Sequence, residues 1–356
     1  MIVSEHQVSG LTLIFNTRSA DRHTQKVLMY VVTGGAGFIG SNLLAALEAR
    51  GIGPLAAVDR CDDPHKNKNI EKRHDLELVA PEHVLPFLDK HASDIEVIFH
   101  LGALTSTTER DVTRLNEVNV RLSRALWTWC AAQDKPFVYA SSAATYGDGA
   151  GGFDDDDSVE ALSRFSPLNP YGQSKHTFDL WVANEIAGGA SAPPTWAGLK
   201  FFNVYGPNEF HKGTQASLVP QIYRKAAASE PYPLFRSHNP DYTDGGQKRD
   251  FVFVDDCCDV MIWLMEQKEI GGIFNLGTGA ARTFLDLAAA VYRASGKEPN
   301  VVYRDTPADI RGQYQYFTEA RMDRLRAAGY LKPFTKLEDG VAITVQNYLS
   351  QDDPYR

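Results

Sequence analysis

The stretch Leu28-Met29-Tyr30-Val31-Val32-Thr33-Gly34-Gly35-Ala36-Gly37-Phe38-Ile39-Gly40 decides how the chain begins to fold. An apolar run ends in a glycine turn, and Ser41-Asn42-Leu43-Leu44-Ala45-Ala46-Leu47-Glu48-Ala49-Arg50 follows, closed by Gly51. The order is strand, tight turn, helix and glycine cap. Among Gly34, Gly37 and Gly40, one glycine permits the turn, one lets the backbone approach a pyrophosphate, and one lets helix and strand pack closely. The helix start adds N–H groups and partial positive charge. Asp59 closes a second short strand, Ala57-Val58-Asp59, where a carboxylate would accept a ribose hydroxyl. Strand, helix and acid together turn an ordinary glycine turn into a predicted dinucleotide site, with Gly34, Gly37, Phe38, Ile39, Gly40 and Asp59 as its residues.

Further strands are expected to end at Val97-Ile98-Phe99-His100, taken as the third, and at Phe137-Val138-Tyr139-Ala140, taken as the fourth. Leu115, Val118, Leu122, Leu126 and Trp129 recur at spacings of three and four and predict one intervening helix. Such alternation means an α/β fold with a doubly wound parallel sheet. Leu199-Lys200-Phe201-Phe202 reads as a later strand, and Ser237 to Gly246 as a loop.

Of 356 residues, 43% are hydrophobic and 23% charged, which excludes disorder and allows a sizeable core. The net charge is −9 without a dense basic run, so neither nucleic acid nor a membrane is an expected partner. Cys61, Cys130, Cys257 and Cys258 lack paired spacing, which points to reduced thiols and a cytoplasmic location. No zinc-binding spacing occurs, and no metal is expected. Asp154 to Asp157 reads as a solvated acidic loop.

Tyr171-Gly172-Gln173-Ser174-Lys175 places a phenol and an ammonium on one face of a helix, about 6 Å apart along its axis. An ammonium there favours the phenolate and would lower the Tyr171 pKa toward a working range for moving a carbinol proton. By itself this spacing is usually a surface pair. Upstream, Ala140-Ser141-Ser142-Ala143-Ala144-Thr145-Tyr146-Gly147 follows a strand, so a Ser142 hydroxyl at the carboxyl edge of the sheet could hold a substrate oxygen.

These segments together resemble the extended short-chain dehydrogenase/reductase superfamily. The resemblance narrows through Phe99-His100-Leu101-Gly102-Ala103-Leu104-Thr105-Ser106-Thr107-Thr108-Glu109, Leu168-Asn169-Pro170-Tyr171, Phe202-Asn203-Val204-Tyr205-Gly206-Pro207-Asn208-Glu209-Phe210-His211-Lys212-Gly213, Lys248-Arg249-Asp250-Phe251-Val252 and Ile273-Phe274-Asn275-Leu276-Gly277-Thr278-Gly279. From about Met29 to Leu349 the chain is similar to the ADP-L-glycero-D-manno-heptose 6-epimerase family. His-Lys-Gly after Val-Tyr-Gly-Pro is the discriminating piece.

The resemblance implies a Rossmann domain at 29–202 plus 251–278, a smaller, discontinuous C-terminal substrate lobe at 203–250 plus 279–352, and an extension of unknown role at 1–28. It implies Tyr171 and Lys212 as two acid/bases, Lys175 behind the tyrosine and Ser142 positioning an ADP-heptose. NADP is the implied cofactor, with NAD possible, met also by Arg60, Lys66, Leu101, Gly102, Ala103, Asn119, Lys175 and Val204. Arg60, Lys66 and Lys68 serve equally well as phosphate contacts or as a solvated loop. Asn203, Arg249 and Tyr314 match substrate contacts, while Thr214 and Gln221 stand where the family has Ser and His. The loop from Arg236 to Gln247 is longer than the family's turn. A homo-oligomer is the expected assembly. A UDP-sugar 4-epimerase and a non-catalytic cofactor sensor are the alternatives. A 4,6-dehydratase fits less well, because Ala143-Ala144 follow Ser142 where that group carries Asp-Glu.

Overall fold

The computed structural model describes residues 28–106, 109–307, 311 and 315–356. In chain order the strands begin with β1 (Met29–Thr33), β2 (Leu55–Val58), β3 (Leu76–Val79), β4 (Ile95–His100), β5 (Phe137–Ser142) and β6 (Trp196–Phe201). Then come β7 (Asn203–Tyr205), β8 (Tyr232–Phe235), β9 (Lys248–Arg249), β10 (Phe251–Phe253), β11 (Gly271–Leu276), β12 (Arg282–Thr283) and β13 (Val301–Arg304). The helices that matter for the site are α1 (Phe38–Ala49), α2 (Leu122–Ala132), α3 (Pro170–Ala187), α4 (Leu218–Ala227), α5 (Val254–Glu266), α6 (Phe284–Ala294) and α7 (Leu337–Thr344).

Seven strands form one sheet in the order β11-β6-β5-β4-β1-β2-β3, every neighbouring pair parallel. The order reverses between β1 and β4, the switch point where open α/β sheets take their ligands. All carboxyl ends therefore lie on one edge, where the glycine turn follows β1, Leu101 follows β4, Ser142 ends β5 and Asn203 lies two residues past β6. β3 is absent from the sequence reading, so the strand ending at His100 is the fourth and that beginning at Phe137 the fifth. The reason is exposure: in Leu76–Val79 only Val79 is buried, and an edge strand with so little alternation leaves a weak pattern.

One apolar cluster joins Leu43, Leu44 and Leu47 of α1 to Val260 and Leu264 of α5, Leu287 and Val291 of α6, and Val341 of α7. A second, on the other side, holds Ile98, Leu126, Trp127, Phe137, Phe178 and Val182. The helix expected around Leu115 to Trp129 is present, but Asn116–Arg121 is a π-helical segment ahead of α2. Its wider turn rotates the face, burying Leu115, Asn119, Val120, Ser123, Leu126, Trp127 and Cys130 and leaving Val118, Leu122 and Trp129 half-buried.

The acidic run is a structural clasp, which corrects its reading as a solvated loop. β11 is an outer strand, and its Ile273 and Asn275 N–H groups donate to Asp157 (3.0 Å) and Asp155 (2.8 Å). Carboxylates two residues apart match the spacing of N–H groups along one side of a strand, and they close an edge that would otherwise pair with another chain. Arg324 bonds Asp157 at 2.6 Å and Arg321 bonds Asp154 at 2.7 Å, offsetting the charge. Outside the large sheet, β8 pairs with β13, β9 with β12, and β7 with β10. No helix among the described residues is long and apolar enough to cross a membrane.

Candidate active site

The glycine turn is shaped as a cradle. Gly34 has φ +69°, and a Cβ there would lie 2.7 Å from the Gly102 nitrogen; one on Gly40 would lie 2.2 Å from the Gly34 carbonyl oxygen. Backbone of β1, α1 and the Leu101-Gly102-Ala103 segment therefore closes to a distance only glycine allows, and the start of α1 presents N–H groups at that edge. Leu101 and Gly102 N–H groups donate to the Thr33 carbonyl and hydroxyl at 3.1 and 3.0 Å. Asp59 stands beside the turn, accepting from Ala36 N–H at 3.0 Å and Arg60 N–H at 2.8 Å. Lys66 joins it in an ion pair at 2.5 Å. The cradle, the dipole of α1 and the acid fit a dinucleotide.

Behind this turn lies a buried chain of polar groups. Thr33 Oγ1 and His100 Nδ1 are 2.7 Å apart, His100 Nε2 and Ser123 Oγ 2.8 Å, and Ser123 donates to the Asn119 carbonyl at 2.7 Å. Burial holds His100 neutral, its pKa lowered to about 3 with the Lys175 charge adding to the effect. Both ends of the Asn119 amide are engaged: it accepts from Leu104 N–H (2.8 Å) and donates to the Leu104 carbonyl (3.0 Å) and to Ser174 Oγ (2.9 Å). Asn119 thus braces the loop after β4 against α3.

α3 starts where Asn169 accepts from Gly172 N–H at 2.8 Å, with Pro170 at the first helical position. Tyr171 and Lys175 share its inner face. Lys175 Nζ donates to the Ala140 carbonyl at 2.8 Å, and burial lowers its pKa to about 8 against the pull of Asp179. The Tyr171 phenol differs from expectation. Burial raises its pKa, a hydrogen bond with Ser142 opposes the rise, and the Asp179 charge adds to it. Spacing shows that the ammonium is near but not how much water both groups lose. Ser142, at the end of β5, also accepts from Ala144 N–H at 3.1 Å.

Lys212 stands on a 3-10 turn, Phe210–Gln215, broken at Gly213 where φ is +55°. Its Nζ lies 5.0 Å above the Phe38 ring and 3.7 Å from Glu209 Oε2. Glu209 is buried and accepts from Ser217 Oγ (2.6 Å), Ser217 N–H (2.7 Å) and Gly206 N–H (3.3 Å). The turn is pinned to the cofactor side: His211 Nδ1 lies 3.1 Å from Asn69 Nδ2, which donates to the Ala36 carbonyl at 2.9 Å. Gln215 donates to Ser106 Oγ at 2.7 Å. The end of the chain secures the same turn, with Arg356 N–H donating to Asn208 Oδ1 at 2.9 Å and its guanidinium bonding Asp255 and Asn42.

Arg249 is buried on β9, bonding the Lys248 and Gln315 carbonyls at 2.8 and 2.5 Å and lying over Phe284. Asn203 and Thr214 are exposed, Val204 is half-buried on β7, and Arg60 is exposed beside Asp59. Gln221 turns inward, donating to the Ala216 and Ser217 carbonyls at 2.9 and 3.3 Å, so its amide shapes the turn ahead of α4. Tyr314 lies outside the described residues. The 236–247 loop closes on itself through Ser237 N–H to Asp244 (2.9 Å) and Gly245 N–H to the Phe235 carbonyl (3.1 Å).

Residues 30–277 match the model of the NAD dependent epimerase/dehydratase family. An ADP-L-glycero-D-manno-heptose-6-epimerase of Nitratidesulfovibrio vulgaris (strain DP4) is 47% identical over 334 residues, covering 92% of this chain and 100% of its own. The chain belongs to the NAD dependent epimerase/dehydratase family. Within the family, the enzyme of the same name from Fusobacterium nucleatum is 42% identical at 92% and 100% coverage. The crystal structure of the Helicobacter pylori ADP-L-glycero-D-manno-heptose-6-epimerase superposes with a TM-score of 0.72 at 25% identity, covering 90% of this chain and 96% of that one. A nicotinamide cofactor follows from membership and epimerase chemistry from the relatives at 42–47% identity, and the glycine cradle described above is where such a cofactor fits.

Sequence reasoning missed Asp179, Lys200, Glu209 and Asp250. The last is fully buried and accepts from Thr278 N–H (2.7 Å), Gly279 N–H (2.9 Å) and Ala320 N–H (3.0 Å), holding the turn after β11. Only Asp179 had a local signal, standing four residues after Lys175 and so on the same helix face.

Proposed function

We propose that the protein inverts carbon 6 of ADP-D-glycero-β-D-manno-heptose to give the L-glycero epimer, supplying heptose for the lipopolysaccharide inner core. A nicotinamide held by the glycine cradle at 34–40 and by Asp59 would supply the redox chemistry, hydride leaving carbon 6 and coming back to the opposite face. The chain's own residues move the proton. Tyr171, oriented by Ser142 and backed by Lys175, serves the carbinol oxygen in one half-reaction, and Lys212 serves it in the other, because inversion changes the oxygen's surroundings.

The observation that carries this reading is the Lys212 turn. A surface lysine would need no buried carboxylate under its ammonium, no aromatic ring of the cofactor turn beside it and no tether to Asn69. NADP is the preferred form, supported by Lys66, which offsets the Asp59 carboxylate that would repel a 2′-phosphate. Asn203, Thr214, Arg249 and Tyr314 would meet the sugar and diphosphate from a lobe formed by 203–250 and 279–352, with Gln221 shaping the turn beneath. A homo-oligomer in the cytoplasm completes the reading.

Purified protein incubated with ADP-D-glycero-β-D-manno-heptose, followed by NMR at carbon 6, tests it. Conversion to a mixture of epimers without added redox partner is the expected result. No inversion at carbon 6, or inversion at carbon 4 of a UDP-hexose instead, would overturn it.

A further inference from the structure

One fully buried ion pair lies behind Tyr171 and Lys175 and has no part in the proton transfers just described. Lys200 Nζ on β6 sits 2.9 Å from Asp179 Oδ2 on α3, their side chains 0% and 1% exposed. Two charges removed from water are costly, and apolar residues of similar volume commonly pack in such places with equal or better stability. The pair's other bonds show what it does that an apolar pair would not.

Asp179 follows Lys175 by four residues and Tyr171 by eight, so the three share one face of α3. Its carboxylate also accepts from Ser141 Oγ at 2.6 Å and the Tyr139 hydroxyl at 3.1 Å, both on β5. Lys200 donates to Thr145 Oγ1 at 2.7 Å, and that hydroxyl donates to the Ser142 carbonyl at 2.8 Å. Its ammonium lies 5.0 and 5.5 Å from the ring centres of Tyr146 and Phe165. Ser142 is therefore held from two directions, through its preceding residue by Asp179 and through its own carbonyl by Lys200.

We propose that Asp179 and Lys200 are a positioning couple that holds Ser142 and Lys175 in register with Tyr171, a role that rests on the acid/base reading of Tyr171 and Lys175. The couple also acts through charge. Around Lys175 stand Asp179 from its own helix, neutral His100 from β4 and the Tyr171 phenol, while Lys200 and His176 face Asp179. The Asp179 charge favours the protonated form of both Lys175 and Tyr171. Neutralising it lowers both pKa values, so both limbs of the pH–turnover profile move to lower pH.

Asp179→Asn removes the charge and keeps the shape; Asp179→Asn with Lys200→Met removes both charges and leaves no orphaned ammonium; Thr145→Val keeps both charges and cuts the link to Ser142. Each is measured for folding by thermal melting, for NADP binding, and for kcat and KM on ADP-D-glycero-β-D-manno-heptose across pH, beside Tyr171→Phe. Expected for the two charge variants are NADP binding near wild type, a kcat loss of about tenfold or more with little change in KM, and a profile displaced to lower pH by about one unit in Asp179→Asn and by less in the double variant, where losing the Lys200 charge acts the other way. Thr145→Val should lose kcat by roughly threefold or more with an unmoved profile.

Folded charge variants whose profile overlays that of wild type would overturn the couple. Should neither charge variant fold, full turnover in Thr145→Val would overturn it. Tyr171→Phe separates the two levels: if it is inactive while the other variants behave as wild type, the couple alone fails, and if it turns over normally, the acid/base reading fails.

Discussion

Tyr171 and Lys175 sit on an 18-residue helix, in a layer where Lys175 is 4% exposed. Lys212 stands on a six-residue turn broken at Gly213, its side chain 26% exposed, its counter-charge 3.7 Å away. On the first side, hydrogen bonds to Ser142 and Ala140 fix the groups and burial sets their protonation. On the second, one buried carboxylate and one ring locate an ammonium that still meets solvent. In the proposed reaction, a carbinol oxygen that changes place during inversion needs one partner held rigidly and another able to follow it, and these two sides would supply that combination.

The sharpest way to break the comparison is to remove the dry side's proton. Tyr171→Phe should lower turnover by at least about 10²-fold in a folded protein that still binds NADP. Equal turnover, measured at saturating substrate, would move the acid/base elsewhere.

A subtler expectation concerns stability. Lys175 has a folded pKa of about 8 against an ordinary 10.5, so folding favours its neutral form. Between those values the unfolded chain holds the extra proton, and stability rises with pH through that window. Lys175→Met should therefore stabilise the inactive protein at pH 7, by roughly 1–3 kcal/mol, with the advantage shrinking as pH climbs past 8. Chemical denaturation at several pH values checks this, and a constant or reversed difference would show that Lys175 is not desolvated as described.

How much of this was legible in the sequence follows the same division. Gly34, Gly40, Asp59, Ser142, Tyr171 and Lys175 were readable because each lies in a short local motif whose spacing already implies geometry. The direction of the Tyr171 shift was not, because it is set first by how much water the phenol loses, which depends on the packing of the whole layer, and the opposing hydrogen bond comes from Ser142 on another element. The acidic run looked solvated because its partners, Ile273, Asn275 and Arg324, are more than a hundred residues away. β3 escaped because an exposed edge strand writes little periodicity, and the true face of the helix near Asn119 because a π turn is invisible to a count by threes and fours.

On the open side, Lys66→Ala should weaken NADP by about tenfold and NAD much less, since only NADP carries the 2′-phosphate that the lysine would meet. Equal losses, read by fluorescence titration of both cofactors, would confine Lys66 to supporting Asp59.

The two-base account stands or falls on the individual half-reactions. In single turnover, each carbon 6 epimer of ADP-glycero-manno-heptose is mixed separately with enzyme loaded with oxidised NADP, and the absorbance of the reduced nicotinamide is followed. Lys212→Met should oxidise one epimer near the wild-type rate and fail on the other, and Tyr171→Phe should show the opposite preference. Loss of the same epimer in both variants, or Lys212→Met oxidising both epimers with only weaker binding, would contradict two acid/bases and leave Lys212 as a substrate contact.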